Sequence, residues 1–235
     1  MPELRLKRDD WRFRSGIAKN EILVGIPMGL QYSITAIGST ILQAAVNGLG
    51  SSYVAAMTAG SKMFNFTCCP FDALGSTMAT YGGQNVGAGK IDRLGKGIRA
   101  AMIIGAVYSV VALVVLFFTT DYIALLFVDA AEVEIIRLTR RFIIASALFY
   151  IPLTGVNVYR FCIQGMGYSV FAILAGVFEM LARTLVAIFL IPVIGFNGAC
   201  LANPAAWIAA DIFLIPAFMH CCNKLKIRHG MKKSA

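Results

Sequence analysis

The chain has 235 residues, of which 58% are hydrophobic and 14% are charged, and its formal net charge is +9 at pH 7. This apolar fraction is outside the usual range of soluble domains, so the composition predicts a membrane protein. The basic residues are grouped before the first apolar stretch, between the second and the third, and after the last. That distribution follows the positive-inside rule and argues against a nucleic-acid-binding surface.

Six apolar stretches follow one another along the chain, at residues 22–46, 53–81, 100–118, 142–163, 170–193 and 199–219. An α-helix needs roughly 20 apolar residues to cross a ~30 Å hydrocarbon core. The third, fourth and fifth stretches are almost free of charge, whereas Gly, Pro, Ser, Thr, Asn and a few charged residues interrupt the others. Polarity of this kind inside a bilayer must face protein or water. The sequence therefore predicts an all-α membrane protein, a bundle of six transmembrane helices that lines a transport path.

An even number of spans puts both ends of the chain on the same side of the membrane. The three basic segments then share that side, which the positive-inside rule makes the cytoplasmic one. We therefore expect a cytoplasmic basic linker over residues 1–20, a transmembrane lobe over residues 21–222 and a cytoplasmic basic tail over residues 223–235, in the cell membrane. On the opposite side, acidic residues are followed by arginines that run against the rule and are expected to pair with them: Asp121, Asp129, Glu132, Glu134, Arg137, Arg140 and Arg141.

Prolines and glycines divide the spans. Pro27 falls in the first turns of the first span, and residues 47–52 (NGLGSS) form the kind of short turn that Gly and Asn allow. Pro70 is expected to bend the second span, or at least to remove one of its hydrogen bonds. That span ends in a glycine-dense segment, residues 82–89, ahead of a basic loop.

The residues that build enzyme and metal sites are scarce. The chain has two histidines, and its six cysteines do not have the spacing of a zinc site or a disulfide framework. The glycines of residues 82–89 lack the Lys-Ser/Thr ending and the preceding strand of a phosphate loop. The sequence therefore predicts a protein that is not an enzyme and that binds no metal and no organic cofactor.

Four short motifs close or open the spans. They are Gly25-Ile26-Pro27 in the first span, Gln84-Asn85-x-Gly87-Ala88-Gly89 after the second, Arg160-x-x-x-Gln164-Gly165-x-Gly167 after the fourth and Asn203-Pro204-Ala-Ala-Trp207 in the sixth. In this order the motifs resemble the second half of the multidrug and toxic compound extrusion (MATE) family. The resemblance covers residues 20–222. It implies one of the two six-helix lobes that follow each other along the chain in transporters of this family.

The resemblance implies one lobe of a secondary-active multidrug exporter that antiports H+ or Na+ against amphiphilic organic cations. The expected partners are the lipid bilayer, a missing N-terminal six-helix lobe and small organic cations, and the source is expected to be bacterial. The coupling ion takes the place of a cofactor. One alternative is a lobe of a lipid-linked oligosaccharide or lipid flippase. Such a flippase shares the helix layout, but its cavity is expected to contain more Arg and Lys. The other is a membrane fragment or subunit that is inactive without a partner lobe.

Polar residues within the spans are the candidates for the transport pathway. Glu179 and Arg183 lie four residues apart with the acid first, which favours an ion pair that either locks the fifth span or takes part in transport. Asp72 follows Pro70, where a bent helix admits water, and is a candidate proton or cation site. Uncharged candidates for the cavity wall are Gln31, Tyr32, Thr35, Tyr150 and Asn157. The first span lacks the acid that sodium-coupled relatives carry there, which argues against direct cation coupling by this lobe.

Overall fold

Helices make up the computed structural model of the protein, which describes residues 15–233. In chain order they are α1 (Ser15–Asn47), α2 (Ser51–Gly87), α3 (Asp92–Ala124), α4 (Val133–Ala147), α5 (Tyr150–Gly165), α6 (Ser169–Leu185), a π-helical turn (Val186–Leu190), α7 (Ile191–Ile194) and α8 (Phe196–Lys233). No β-strand occurs within residues 15–233, so the predicted all-α fold is confirmed.

The predicted linker and tail are only partly covered. Residues 1–14 of the linker and residues 234–235 of the tail lie outside the described residues. Inside them, α1 already includes residues 15–20, and α8 continues past residue 222 to Lys233. The division of the chain into linker, lobe and tail stays a prediction.

Six helical units correspond to the six predicted spans, because α4 pairs with α5 and α6 continues into α7. By length and composition, three described stretches can cross a membrane, namely Asp92–Ala124, Ser169–Ile194 and Phe196–Arg228, and the bent pair α4–α5 makes a fourth if it is one span. Polar and charged residues, including Lys62 and Asp72, interrupt α2, which is not among these stretches.

The fourth predicted span, residues 142–163, is divided between two helices, α4 and α5. The chain bends by 53° between α4 and α5. Pro152 lies in the first turn of α5, where it has no N–H to donate and its ring would collide with the carbonyl of Leu148. Proline thus ends α4 at Ala147 and allows α5 to begin at Tyr150 in a new direction.

The other prolines have weaker effects. α2 runs through Pro70 without a break, although the Phe66 carbonyl loses its helical donor there. α1 and α8 likewise continue through their prolines. In the fifth unit, Pro192 leaves the Ile188 carbonyl without its usual partner, and a π-helical turn occupies this segment, Val186–Leu190.

Residues 48–50 join α1 to α2, as the glycines in this segment predict. Gly50 has a φ of +124°, a conformation that favours glycine. Many hydroxyl groups along the two helices donate to the carbonyl four residues earlier: Ser33, Ser39, Thr40, Thr58, Ser76, Thr77 and Thr80. These bonds satisfy polar side chains inside their own helix.

Two of the family-like motifs are helix caps. At Gly89, with φ +68°, the following N–H of Lys90 donates to the Asn85 carbonyl at 2.8 Å. At Gly167, with φ +88°, the following N–H donates to the Ile163 carbonyl at 3.1 Å. Both are Schellman caps, which need a residue in the left-handed conformation and hence glycine.

The glycines just before these caps bring α2 and α5 together. A Cβ atom on Gly165 would overlap the backbone carbonyl oxygen of Ala79, and one on Gly82 would lie 2.9 Å from the carbonyl oxygen of Cys162. The two backbones therefore touch at this end of the bundle. Further along, the same two helices diverge and line a cavity.

At the opposite end, the predicted pairing of acids with arginines is largely present. Arg140 forms an ion pair with Asp121, and Arg137 lies 2.7 Å from Glu134. Arg141 instead donates to the Asn197 side-chain oxygen at 3.2 Å, which joins α4 to the start of α8.

Candidate functional site

A cavity of about 360 Å³ opens between α1, α2, α5, α6 and α8. Its wall combines three kinds of side chain. The aromatic residues are Tyr32, Phe64, Phe161 and Trp207, the uncharged polar ones include Gln31, Thr35, Asn65 and Asn157, and the charged ones are Asp72, Arg160 and Glu179. Such a mixture of flat apolar surface and a few charges is typical of sites that bind small molecules.

Six of the eight predicted pathway residues lie in this wall: Gln31, Tyr32, Thr35, Asp72, Asn157 and Glu179. They come from four different helices, so the fold brings together residues that are far apart in the sequence. Tyr150 and Arg183 do not line the cavity. The part that any of these residues takes in transport stays a prediction.

Tyr150 lies behind the cavity wall, which corrects its assignment as a wall residue. Its side chain is fully buried, and its ring lies 5.3 Å from that of Phe71 and 6.4 Å from that of Trp207. Its hydroxyl is 2.9 Å from the hydroxyl of Thr67. Because the hydroxyl has this partner, Tyr150 packs as a core residue and supports the wall from behind.

An aromatic pair forms one side of the cavity. The rings of Phe64 on α2 and Trp207 on α8 are stacked, with centroids 5.7 Å apart and planes 13° apart. Trp207 belongs to a motif that the sequence singles out, but Phe64 carries no signal in the sequence. Its position follows only from how α2 and α8 approach each other.

Asp72 is the charged residue of the wall that has no partner. It lies half a turn beyond Pro70 on α2, and its carboxylate takes part in no ion pair with the side chains that the structure describes. Lys62 of the same helix does not reach it, since the Lys62 ammonium lies 5.5 Å from the Phe127 ring, near Asp129. Asp72 therefore places an uncompensated negative charge at the cavity.

Glu179 is the centre of a buried charge cluster. Its carboxylate forms an ion pair with Arg160 of α5 and lies 3.4 Å from Arg183, one turn further along α6. The three residues are only 3%, 8% and 5% exposed, respectively. The predicted pair of Glu179 with Arg183 is thus present, and Arg160, which the sequence indicates only as part of a motif, is a second partner.

The two guanidinium groups are incompletely bonded. Arg183 donates through Nε to the Asn203 side-chain oxygen at 3.2 Å. Arg160 Nε and Arg183 Nη1 are buried without an acceptor in the part of the chain that the structure describes. Buried charged donors without acceptors are unfavourable, so this cluster holds hydrogen-bonding capacity that the observed arrangement does not use.

α1 is joined to this cluster region mainly through α6. Gly38 of α1 approaches Met180 so closely that an added Cβ would lie 3.0 Å from its Cα. Gln31 accepts a hydrogen bond from the Gln164 side chain at 2.5 Å, which ties α1 to the end of α5. The first helix thereby forms one side of the cavity and leaves its opposite face uncovered.

The remaining motif residues do not line the cavity. Pro27 lies inside α1, and Pro204 lies inside α8 next to the Asn203 that binds Arg183. Gln84, Asn85 and Gly87 belong to the last turn of α2, where the Gln84 carbonyl accepts the Ala88 N–H at 3.0 Å. Among the described residues, no group of three or more His, Cys, Asp or Glu side chains could hold a metal ion.

Comparison with known proteins gives a consistent result. The MatE family model matches residues 27–189. No curated protein matches the sequence. A MATE transporter solved in complex with MaL6 is similar over 94% of this chain and 50% of its own length, with 16% identity and a TM-score of 0.84.

Two further solved structures are also similar in fold. The Vibrio cholerae MATE transporter VcmN in the bent form matches over 93% of this chain and 49% of its own length, with 16% identity and a TM-score of 0.79. A MOP superfamily transporter from Pyrococcus furiosus matches over 82% of this chain and 43% of its own, with 18% identity and a TM-score of 0.73. The chain spans about half the length of the solved structures it matches.

Proposed function

Because the chain belongs to the MatE family of membrane transporters, we propose that it forms the second lobe of a two-lobed secondary-active exporter. The exporter exchanges H+ or Na+ for amphiphilic organic cations. Two features support this proposal: the composition of the cavity wall and the extent of the match, which is about half of each similar structure.

The observation that carries the proposal is the unpaired carboxylate of Asp72 beside the stacked rings of Phe64 and Trp207. A carboxylate without a partner attracts a cation, and aromatic faces bind flat or cationic groups. The cavity volume of about 360 Å³ lies within the range of about 300–1,000 Å³ that is usual for drug-sized ligands. The wall thus suits an aromatic cation that places its positive charge near Asp72.

Glu179 is less suited to hold the substrate in the observed arrangement. Its carboxylate already has two arginine partners, so its negative charge is more than balanced. The flippase alternative calls for a cavity rich in basic groups. This wall instead has Arg160 against Asp72 and Glu179, which favours cations as cargo.

A partner lobe is proposed because the two helices on one side of the cavity, α1 and α2, also expose large apolar side chains. Large side chains of α1 and α2 are more than half exposed: Ile22, Ile26, Leu30, Ile37 and Phe66. Alternating access in transporters built from two repeats rocks one repeat against the other around a shared site. The cavity is therefore proposed to be half of a larger binding site.

Ethidium binding to the purified chain in detergent tests the proposed cargo, with the change in ethidium fluorescence as the readout. Asp72→Asn is expected to weaken ethidium binding about tenfold, which is the loss of one favourable charge contact. Asp92→Asn, which removes a carboxylate of the same type at an exposed site on α3, serves as the control and is expected to leave binding unchanged. Equal affinity in the wild type and Asp72→Asn would contradict a cation site at Asp72.

A further inference from the structure

We propose that Asp211 is the proton-binding group of this lobe, and that its proton and a cationic substrate exclude each other through Arg160. The proposal rests on the antiport function above and names the group that couples the two ions. It begins from a partly buried carboxyl group, with one buried oxygen, that the cavity wall does not include.

Asp211 lies on α8, and its carboxyl group presses against the backbone of α5. A Cβ atom on Gly155 would lie 2.6 Å from Asp211 Oδ2 and 2.8 Å from Oδ1, so the glycine provides the space that the carboxyl group occupies. Asp211 Oδ1 is buried and has no hydrogen-bond partner among the residues that the structure describes. One oxygen of a partly buried carboxyl group therefore lies between two helices without a donor.

Titratable and charged groups approach α8 from the helices packed around it. From α5, Arg160 and Tyr159 interact electrostatically with the Asp211 carboxyl group. The groups on the other helices are Glu179 and Arg183 on α6, Tyr32 on α1 near Arg160, Asp72 on α2 across the cavity, and Arg141 on α4, which is bonded to Asn197. The π-helical turn and α7 contain no titratable residue. Arg160 is therefore the cationic side chain that can form an ion pair with Asp211 when Asp211 is ionised.

Arg160 and Asp211 have complementary unused groups. Arg160 Nε is a buried donor without an acceptor, and Asp211 Oδ1 is a buried acceptor without a donor. An ionised carboxylate that is buried without a donor is strongly unfavourable, whereas a protonated one has no charge to be solvated. The observed arrangement, with Arg160 on Glu179, is accordingly the one in which Asp211 holds a proton.

Loss of that proton to water creates a carboxylate that attracts Arg160. Glu179 does not lose all support when Arg160 turns to Asp211, because Arg183 lies 3.4 Å away on the same helix. The movement needed is a change in the side-chain conformation of Arg160, which lies on α5, the same helix whose Gly155 contacts Asp211.

The exchange changes the charge at the cavity. With Asp211 protonated, two guanidinium groups face one carboxylate, so the cluster of Arg160, Glu179, Arg183 and Asp211 carries one net positive charge and repels a cation. With Asp211 ionised, two guanidinium groups face two carboxylates and the net charge is zero. Glu179, which lines the cavity, then keeps a single arginine partner and can attract a substrate cation. One proton and one monovalent cation thus occupy the lobe in alternation.

Infrared spectroscopy of the purified full chain tests the proton site directly. The wild type is expected to show the C=O stretching band of a protonated carboxyl group that disappears as the pH is raised. The band is expected to shift when aspartate is labelled with ¹³C, to be absent from Asp211→Asn and to remain in the matched variant Asp72→Asn. The labelling uses wild-type protein and so does not depend on the folding of any variant. No band in the wild type, a band that ¹³C-aspartate does not shift, or a band that persists in Asp211→Asn would overturn the proposal.

Ethidium binding as a function of pH tests the coupling. In the wild type, affinity is expected to fall about tenfold as the pH is lowered through the range in which the carboxyl band appears. Asp211→Asn cannot ionise, so its affinity is expected to be low at every pH, while the exposed control Asp92→Asn behaves as the wild type. Unchanged pH dependence in Asp211→Asn would overturn the inference and leave the proposed function intact. Absence of ethidium binding in a wild type whose carboxyl band is assigned to Asp211 would instead overturn the proposed cargo and support the proton site.

Discussion

α2 and α3 are neighbouring helices of similar length whose buried sides face different surroundings. Buried residues of α3 recur every three or four positions and are mostly small: Ala101, Gly105, Ser109, Ala112, Leu116 and Thr120. Between Arg99 and Asp121 the helix carries no charge. α2 contains Lys62 and Asp72, and part of its surface lines the cavity.

The difference shows what hydropathy measures. α3 has lipid-compatible residues on one side and protein on the other, so its average composition identifies it as a span. A helix that lines a cavity needs polar groups on that face, and they lower the same average. α2 lines the cavity and is not among the stretches that are apolar enough to cross a membrane. α6 and α8 also contribute to the wall and are apolar enough, because each places few polar side chains in it, so low hydropathy in α2 reflects how much of its surface faces the cavity.

The largest expected effect comes from removing the charge at the centre of the buried cluster. Glu179→Leu strands Arg160 and Arg183 in a buried position and is expected to lower the free energy of unfolding by about 3–5 kcal/mol. On α3, Ser109→Ala removes a hydroxyl that bonds to its own helix, at 2.7 Å from the Gly105 carbonyl, and is expected to change stability by about 1 kcal/mol or less. Thermal unfolding in detergent measures both. Similar losses in the two variants would break the contrast between α3 and the helices that line the cavity, to which α6 contributes Glu179.

Combined substitutions test whether Glu179 pairs with Arg183 alone or with both Arg183 and Arg160. The sequence predicts that replacing Glu179 and Arg183 together recovers most of the stability lost in either single variant. The structure leaves Arg160 stranded in that double variant, so we expect recovery only when Arg160→Leu is added. Since apolar replacement of a whole buried ionic group is often near neutral, the triple variant should unfold close to the wild-type temperature. Full recovery in the double variant would show that Arg160 does not depend on Glu179.

Replacing a glycine by alanine is expected to change stability in opposite directions at two sites, one where α5 touches α2 and one on α3. Gly165→Ala places a methyl group against the Ala79 backbone where α2 and α5 touch, and overpacking of this kind costs about 1–3 kcal/mol. Gly95 on α3 has no neighbour within 4 Å of an added Cβ, so Gly95→Ala is expected to stabilise by about 0.4–1 kcal/mol. Chemical denaturation of the two variants in parallel measures the signs. A stabilised Gly165→Ala protein would mean that the helices separate at this point.

A small effect is expected for Tyr150, which supports the wall without lining it. Tyr150→Phe removes the hydrogen bond to Thr67 and is expected to reduce stability by about 1 kcal/mol while ethidium affinity stays unchanged. Tyr32→Ala, which removes a wall residue, should show the reverse, with reduced affinity and little loss of stability. Reduced affinity in Tyr150→Phe would return this residue to the cavity wall.

No effect at all is expected from the chain by itself in a cell. One lobe has nothing to close against, so its expression in a pump-deficient bacterium should leave ethidium accumulation unchanged. A clear fall in accumulation would show that these residues suffice for export, either alone or as two copies.

The helices could be predicted because their signals are local. Apolar length locates each span, and glycine at positions 89 and 167 locates two helix ends. The break between α4 and α5 was not predicted, although Pro152 is visible in the sequence, because the flanking residues are apolar enough to read as one span. Proline changes direction without changing hydropathy.

The cavity wall could be predicted in part. Polar residues inside the spans, such as Gln31 and Asn157, find no stable place except a cavity or a polar partner, so the sequence alone identifies them. The Arg160–Glu179 contact joins two different helices and depends on how α5 and α6 turn toward each other. No motif or spacing in the sequence distinguishes Phe64 from the other phenylalanines. Contacts of this kind belong to tertiary packing, and no local pattern contains them.

The three-residue connection between α1 and α2 has a consequence for how the protein is made. α2, which carries Lys62 and Asp72, is too polar to partition strongly into lipid as a single segment, and residues 48–50 leave no room for it to enter the bilayer without α1. Hydroxyl groups that are already bonded to carbonyls of their own helix, such as those of Ser33 and Thr77, add little to the transfer free energy. We therefore expect the translocon to release α1 and α2 together as a helical hairpin, with the more apolar α3 following as the segment that anchors them.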